Sequence, residues 1–544
     1  MLALMSERPL LVSAVIKHAA VFHGDAEIVS RTVEGAIHRY TYADAERRSR
    51  QLAQALLRLG IRAGDRVGTL AWNTYRHFEL YYGISGIGAV CHTINPRLFV
   101  EQIVYIINHA ADRLLFVEAS FVPLIERLAP RLPAGCRIIL LTDPPDVGSV
   151  APFPRLPSYE ELVAAEDDDF EWPEFDERAA SSLYYTSGTT GNPKGALFSH
   201  RSTVLHAYGI SLPDGISISA LDVVCPVVPM FHVNAWAIPY AAPMQGAKLV
   251  LPGARLDGQS LYELFEAERV TLSLGVPTVW LGFEAHLSAT GTHCSTLRRL
   301  LSGGAAVPRS MIEAFARHGI EVRQGWGMTE MSPVGTLAAL KAKHLRLDQE
   351  VQTGVKEKQG RPLFGVEMKI IDDAGRAQPH DGKSIGELLV RGPWIINAYF
   401  EDEASSASAV EPDGWLHTGD VGTIDADGYL QITDRRKDVI KSGGEWISSI
   451  DLENAAIAHA EVAEAAVIAV PEARWGERPL LIIVPKPGCR PDRDDVIALL
   501  AARFPKWMLP DDVICVEELP HTATGKVMKT RLREMFQGHQ LPDL

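Results

Sequence analysis

A layered α/β protein with an added β-rich part and a smaller αβ unit at its end is what this sequence predicts, on three observations. Short apolar runs alternate with stretches of helical spacing from residue 12 to about residue 302, the pattern of βα units over a mostly parallel sheet. From Gly365 the texture changes to shorter β-rich runs with turn residues between them. The charged run Asp434-Arg435-Arg436-Lys437-Asp438 then sets off an αβ segment of about 110 residues, long enough to fold as a unit. With 544 residues the chain exceeds what one core can organise. The expected division is therefore residues 1–433, with a β subdomain at about 365–433, and residues 434–544.

Residues 12–23 and 42–60 carry helical spacing, and Thr41 with Asp44 opens the second helix as a capping pair that Gly60 closes. Strands are expected at residues 66–72, 113–118 and 137–142, and again at 248–251, 271–274 and 299–302. Residues 144–177, Pro-rich and then acidic, read as a surface connection. Between Asp222 and Lys248 there is no Asp, Glu, Lys or Arg, which raises the question of a membrane span. Pro226, Pro229, Pro239 and Pro243 would break such a helix and His232 sits inside it, so buried strands and loops near a site are expected instead. In the β-rich part, runs at 367–371, 386–390 and 428–433 read as strands.

Composition narrows the function classes. A hydrophobic share of 47% with balanced charge suits a soluble globular protein, and the formal charge of −15 argues against nucleic acid or anionic lipid as a partner. Any anionic substrate then needs locally concentrated cations. The six cysteines are scattered with no CxxC pair, as in a reducing cytoplasm, and offer neither a zinc site nor a disulfide framework. Glu7 and Arg8 precede the first apolar run, which does not match a secretory signal, and a cytoplasmic protein without a membrane span is expected.

The most informative stretch is residues 184–195, Tyr-Tyr-Thr-Ser-Gly-Thr-Thr-Gly-Asn-Pro-Lys-Gly. Gly188, Gly191 and Gly195 let backbone N–H groups turn toward an anion, Thr186, Ser187, Thr189 and Thr190 add hydroxyls, and Lys194 adds a cation. Such a loop can hold a polyphosphate. It is not a Walker A loop, because Pro193 stands where the second Gly belongs and Gly195 replaces the Mg²⁺-binding hydroxyl.

Six further stretches stand out. Residues 230–236 place His232, Val233 and Trp236 in the uncharged segment, where a core histidine is the plainer reading. Gly303, Gly304 and Ala305 follow an apolar strand as a turn or a ligand contact. Gln324, Gly325, Trp326, Gly327, Thr329 and Glu330 combine close backbone approach with a ring, a hydroxyl and a carboxylate, suited to a flat base and a metal. Asp420 after Gly419 fits an Asx turn as well as a ribose contact. Arg435, Lys437, Lys441, Gly443 and Gly444 form a charged face or a binding strip, and Lys526 ends a loop of small residues.

Taken in this order, the set resembles the adenylate-forming superfamily of acyl-CoA synthetases, stand-alone adenylation domains and firefly-type luciferases, over roughly residues 10–535. Residues 230–236 and the phosphate loop are most similar to bacterial medium-to-long-chain fatty-acyl-CoA ligases and to methylmercaptopropionate-CoA ligases. The resemblance implies ATP and CoA as substrates, Mg²⁺, a carboxylic acid as partner and a possible homodimer. It implies that Thr186 and Glu330 hold Mg²⁺, with the Thr186 to Lys194 loop on the phosphates. Gly304, Gln324, Gly325 and Thr329 would line the adenine and α-phosphate, and Asp420 would take the ribose, with Arg435, Lys437 and Lys441 nearby. Val233 and Trp236 would stand at the junction of acyl and nucleotide sites, Asp434 would be the hinge of a mobile C-terminal domain, and Lys526 would be the catalytic lysine. A carrier-loading adenylation enzyme is the rival within the superfamily. His232 disfavours it, because it stands about where amino-acid activators keep an Asp for the substrate ammonium. A catalytically silent nucleotide-binding or scaffold protein is the rival outside catalysis.

Overall fold

A computed structural model describes residues 4–143, 156–186, 192–442, 445–472, 474–521 and 527–542. Two sheets organise the first part. A six-stranded sheet runs, from edge to edge, Arg137–Leu141, Leu114–Glu118, Arg66–Leu70, Val90–Thr93, Ala180–Tyr185 and Gly195–Ser199. Its first five strands are parallel and only the last is antiparallel. Leu114–Glu118 is buried along its whole length, which is why it reads as a continuous apolar run. A nine-stranded sheet has the strands Val223–Pro226, Lys248–Leu251, Leu272–Gly275, Arg299–Ser302 and Glu321–Gly327 at its parallel centre.

One hydrophobic cluster contains side chains of both sheets together with the helices Tyr42–Arg58, Tyr75–Gly86, His200–Ser211 and Ile238–Gln245 between them. Local signals fix some of these helices well. The Thr41–Asp44 capping box is present, with Thr41 Oγ1 accepting from the Asp44 N–H at 3.3 Å and Asp44 returning a bond to the Thr41 N–H at 3.1 Å. Ala45, Leu52, Ala53 and Leu56 are then buried on one face.

Two expectations are corrected here. The uncharged segment holds an eight-residue helix, Ile238–Gln245, where strands and loops alone were expected. Pro239 sits in its first turn, where no N–H is needed. Pro243 removes the bond that the Pro239 carbonyl would accept, and the Tyr82 hydroxyl donates to that carbonyl instead. Residues 156–177 are also more than a surface connection. Tyr159 and Trp172 are buried, the former bonded to Glu79 at 2.7 Å and the latter to Glu46 at 2.9 Å. Residues 144–155 lie outside the described residues.

The β-rich part is a four-stranded antiparallel sheet, Glu367–Ile371, Gly386–Arg391, Leu416–Ile424 and Leu430–Arg435. Its last strand runs two residues beyond the expected end and so includes Asp434 and Arg435. A separate five-stranded sheet follows, and two hydrophobic clusters contain only residues from Ile440 onward. Among the described residues no helix is long and apolar enough to cross a membrane.

Candidate active site

The carboxyl ends of the parallel strands, the β subdomain and the C-terminal unit all contribute to one cavity of about 600 Å³. This is where ligands bind in open α/β sheets. Strand Ala180–Tyr185 delivers Thr186 to it, and the returning strand begins at Gly195. The neck of the loop is closed by the Thr186 N–H donating to the Lys194 carbonyl at 2.9 Å and by the Lys194 N–H donating to Thr186 Oγ1 at 3.1 Å. Thr186 and Lys194 line the cavity, whereas Ser187, Gly188, Thr189, Thr190 and Gly191 lie outside the described residues.

Opposite this loop, strand Glu321–Gly327 and the short turn Thr329–Met331 bring Gly325, Trp326, Gly327, Thr329 and Glu330 to the wall. A Cβ at Gly327 would meet the Pro333 carbonyl at 1.9 Å, and one at Gly303 would meet the Gly325 carbonyl at 2.7 Å. Both positions therefore demand glycine for close packing of backbone on backbone. Gly303 and Gly304 line the cavity and Ala305 does not. Gln324 is buried and turned away, its amide oxygen accepting from the Val307 N–H at 3.2 Å.

Glu330 is almost fully buried, and its Oε1 accepts a bond of 2.7 Å from the Tyr399 hydroxyl. Burial, and then the Glu330 charge, raise the Tyr399 pKa, which keeps the phenol protonated as a donor. The Lys194 ammonium lies 5.0 Å from the centre of the Tyr399 ring. Asp420 stands just behind the wall. It accepts from the Trp326 indole at 2.8 Å and from Arg435 Nε at 2.7 Å. Arg435 and Lys437 reach the cavity, while Lys441 lies in the C-terminal sheet and is not part of the lining. Gly443, Gly444 and Lys526 are outside the described residues, but Val527, Met528 and Lys529, which follow Lys526, do line the cavity.

The other half of the cavity is apolar, built from Val227, Val228, Leu256, Val276, Val279 and Leu301. His232, Val233 and Trp236 stand on it through an unusual turn. Val233, Asn234, Ala235, Trp236 and Ala237 all have positive φ, from 43° to 64°. A left-handed turn costs about 1–2 kcal/mol per residue in an L-chain, so surrounding contacts must impose it. Asn73 fixes the segment that leads into it, donating to the Pro226 and Val228 carbonyls and accepting from the Met230 N–H. Thr93 Oγ1 donates to the Phe231 carbonyl at 3.1 Å, and Asn234 Oδ1 caps the Ala237 N–H at 2.6 Å.

Three residues at the site escaped the sequence reading. Tyr399 lies 69 positions from its partner Glu330; the aromatic, uncharged run 394–400, three residues after strand Gly386–Arg391, was an available sign that this segment is buried. Lys529 is partly buried and paired with Glu453 at 2.7 Å, and it lies against Ser449. Arg97 lines the cavity from the segment after strand Val90–Thr93. Neither Lys529 nor Arg97 falls in a motif that marks it.

This architecture, two sheets about shared helices with an αβ unit closing a nucleotide-sized cavity, recurs in solved structures. The crystal structure of the anthranilate CoA ligase AuaEII matches with a TM-score of 0.86 at 25% identity, covering 98% of this chain and 99% of that one. The AMP-binding enzyme model matches residues 16–400, and the AMP-binding enzyme C-terminal domain model matches residues 451–526. The chain belongs to the AMP-binding enzyme family. Among curated proteins it is 50% identical to the 3-methylmercaptopropionyl-CoA ligase of Ruegeria lacuscaerulensis, over 99% of both chains. It is 48% identical to the medium-chain-fatty-acid–CoA ligase of Ectopseudomonas oleovorans, over 98% of both.

Proposed function

We propose that this protein is an AMP-forming acyl-CoA ligase that activates an aliphatic carboxylic acid with ATP and passes the acyl group to CoA. The observation that carries this reading is the union, in one cavity, of a polar half holding Thr186, Lys194, Glu330 and Arg435 with an apolar half free of carboxylates. Relatives of 50% and 48% identity named as CoA ligases support it.

The chemistry needs those groups. A carboxylate oxygen attacks the α-phosphorus of ATP, the bond to pyrophosphate breaks, and an acyl-adenylate forms. The CoA thiol then attacks the acyl carbon, AMP leaves, and the thiol proton passes to solvent. Lys194 and the backbone around Thr186 hold phosphates, Asp420 and Arg435 stand where a ribose would be gripped, and Lys526 supplies a cation to the α-phosphate. Glu330 and the Thr186 hydroxyl are hard oxygen donors, few enough to leave most coordination positions to phosphate and water, which fits Mg²⁺. When bound there, Mg²⁺ would neutralise phosphate charge. Asp434, in the closing residues of the last strand of the β subdomain, is the pivot to the C-terminal unit.

Tyr399 tests the metal assignment. Its hydroxyl fixes one Glu330 oxygen, so Tyr399→Phe is expected to raise the Mg²⁺ concentration for half-maximal pyrophosphate exchange by about tenfold. An unchanged midpoint would remove Glu330 from the metal.

The substrate is assigned as a medium-chain fatty acid. A short thioether acid is the second reading, favoured by the Ruegeria relative. Glu330 and Asp438 are the acids among the described residues of the lining, and neither belongs to the apolar half. An α-ammonium would be buried there without a counter-charge, at a cost of several kcal/mol. CoA-dependent AMP release measured on octanoate, 3-(methylthio)propanoate and leucine is therefore expected to be fastest with one of the first two. Faster release with leucine would overturn the assignment.

A further inference from the structure

The parallel strands of the nine-stranded sheet end in a row, and the cavity lining follows that row strand by strand. Side by side, the order is Glu321–Gly327, Arg299–Ser302, Leu272–Gly275, Val223–Pro226 and Lys248–Leu251. The first two bring glycines 325, 327, 303 and 304 to the polar half of the cavity. The next two lead into Val276 and Val227, and the last leads to Leu256. Among the described residues, nothing on or directly after the neighbouring strand Glu27–Arg31 lines the cavity, so Leu256 closes the row. From strand Arg299–Ser302 to strand Lys248–Leu251 there are three steps of about 4.8 Å each, or about 14 Å.

Two anchored residues bracket Leu256. The Gly253 N–H donates at 3.1 Å to the carbonyl of Asn73, whose side chain also holds the segment with Val228. Gly253 has a φ of 67°, and a Cβ there would meet the Arg31 carbonyl at 2.4 Å, so this approach demands glycine. On the other side, Asp257 Oδ1 accepts from the Ser260 N–H at 2.9 Å and caps helix Gly258–Glu268. Leu256 itself is half-buried. With Val279, in the first turn of helix Pro277–Thr290, it packs against a buried cluster that contains Phe265, Trp280 and Phe283.

We infer that Leu256 is the end wall of the acyl pocket and sets the longest chain that the enzyme activates. The inference rests on the ligase reading and supplies its chain-length determinant. The acyl group lies across the strand ends, with its carboxylate at the glycines of the polar half and its terminal methyl against Leu256. A close-packed cluster behind a side chain fixed on both flanks does not yield to further methylenes. A short thioether acid fills only the near part of this path, which favours a medium-chain acid as the better substrate.

Full-length Leu256→Trp and Leu256→Ala are compared with wild type by kcat/KM for butanoate, octanoate and dodecanoate in CoA-dependent AMP release, with the KM for ATP measured alongside. Leu256→Trp is expected to lower the value for octanoate about tenfold or more and that for butanoate less than about twofold. Leu256→Ala is expected to raise the ratio of dodecanoate to octanoate about tenfold, and the KM for ATP should stay unchanged in both variants. A merely structural role would lower all three acids alike, and an equal fold-change across the panel overturns the inference. So does a dodecanoate-to-octanoate ratio in Leu256→Ala that stays at the wild-type value, which is readable even where Leu256→Trp fails to fold. Wild-type enzyme that released no AMP in response to CoA with any acid would overturn the ligase reading itself, before any variant was compared.

Discussion

Alanine at Lys526 is expected to slow adenylate formation by about 10²–10³-fold, the loss typical of one preorganised donor at developing charge, while the protein keeps its fold. Lys526 itself is outside the described residues, but both ends of its loop are anchored independently of it. The Met528 N–H donates to the Pro520 carbonyl at 2.7 Å, and His521 pairs with Glu464 at 2.9 Å. Lys529 is tied to Glu453, and Arg533 to Asp438 at 2.5 Å. Truncating the side chain at 526 leaves these anchors intact. Pyrophosphate exchange should therefore collapse, while thioester formation from supplied acyl-adenylate should fall much less. Equal damage to the two half-reactions would take Lys526 out of its role.

Proline at Asp434 is expected to preserve adenylate formation and abolish most acyl transfer to CoA. A lysine that must reach the α-phosphate in one step and a thiol that must reach the acyl carbon in the next call for two arrangements of the C-terminal unit, and proline fixes φ near −65° at the proposed pivot. The structure adds a complication that the sequence did not show. The Asp434 carboxylate is buried, accepts from the Ser449 N–H at 3.0 Å and also binds the Ser449 hydroxyl. Burial raises its pKa, and nearby Lys529 works against that rise. Any substitution thus loses a helix-capping contact, at a cost of about 1–3 kcal/mol. Asp434→Ala removes the same carboxylate and leaves the backbone free, so it should lose stability but keep both half-reactions. If Asp434→Pro retained both half-reactions at rates near those of the alanine variant, the pivot would have to lie elsewhere.

Much of the site was legible because the relevant chemistry is local in sequence. Thr186 and Lys194, singled out from the glycine- and hydroxyl-rich stretch 186–195, do line the cavity, and the strands at 248–251 and 299–302 fall where their apolar runs place them. What was not legible depends on distant partners. Nothing around Pro243 tells that Tyr82 will satisfy the carbonyl that this proline orphans, so a helix was missed. Gln324 sits among glycines that do face the cavity, yet its amide turns inward to Val307. The burial of Tyr159 and Trp172 depends on Glu79 and Glu46, which lie 80 and 126 positions away. Glu330 was readable as a carboxylate at the site, but the Tyr399 phenol that bonds it was not.

The left-handed turn at Val233–Ala237 bears on how this enzyme could be recombined with its relatives. The turn belongs to the chain between two strands of the nine-stranded sheet, whereas Asn73 and Thr93, which bond the segment leading into it, follow or end strands of the six-stranded sheet. The five residues share one handedness, so none of them can relax alone. The wall that carries Val233 and Trp236 is therefore specified jointly by two halves of the molecule. A chimera that joined the first 100 residues of one homologue to the acyl-facing segment of another would inherit a new wall only if the Asn73 and Thr93 contacts travelled with it. On the proposed assignment of this wall to the acyl group, selectivity is not a modular property of the segment that carries it.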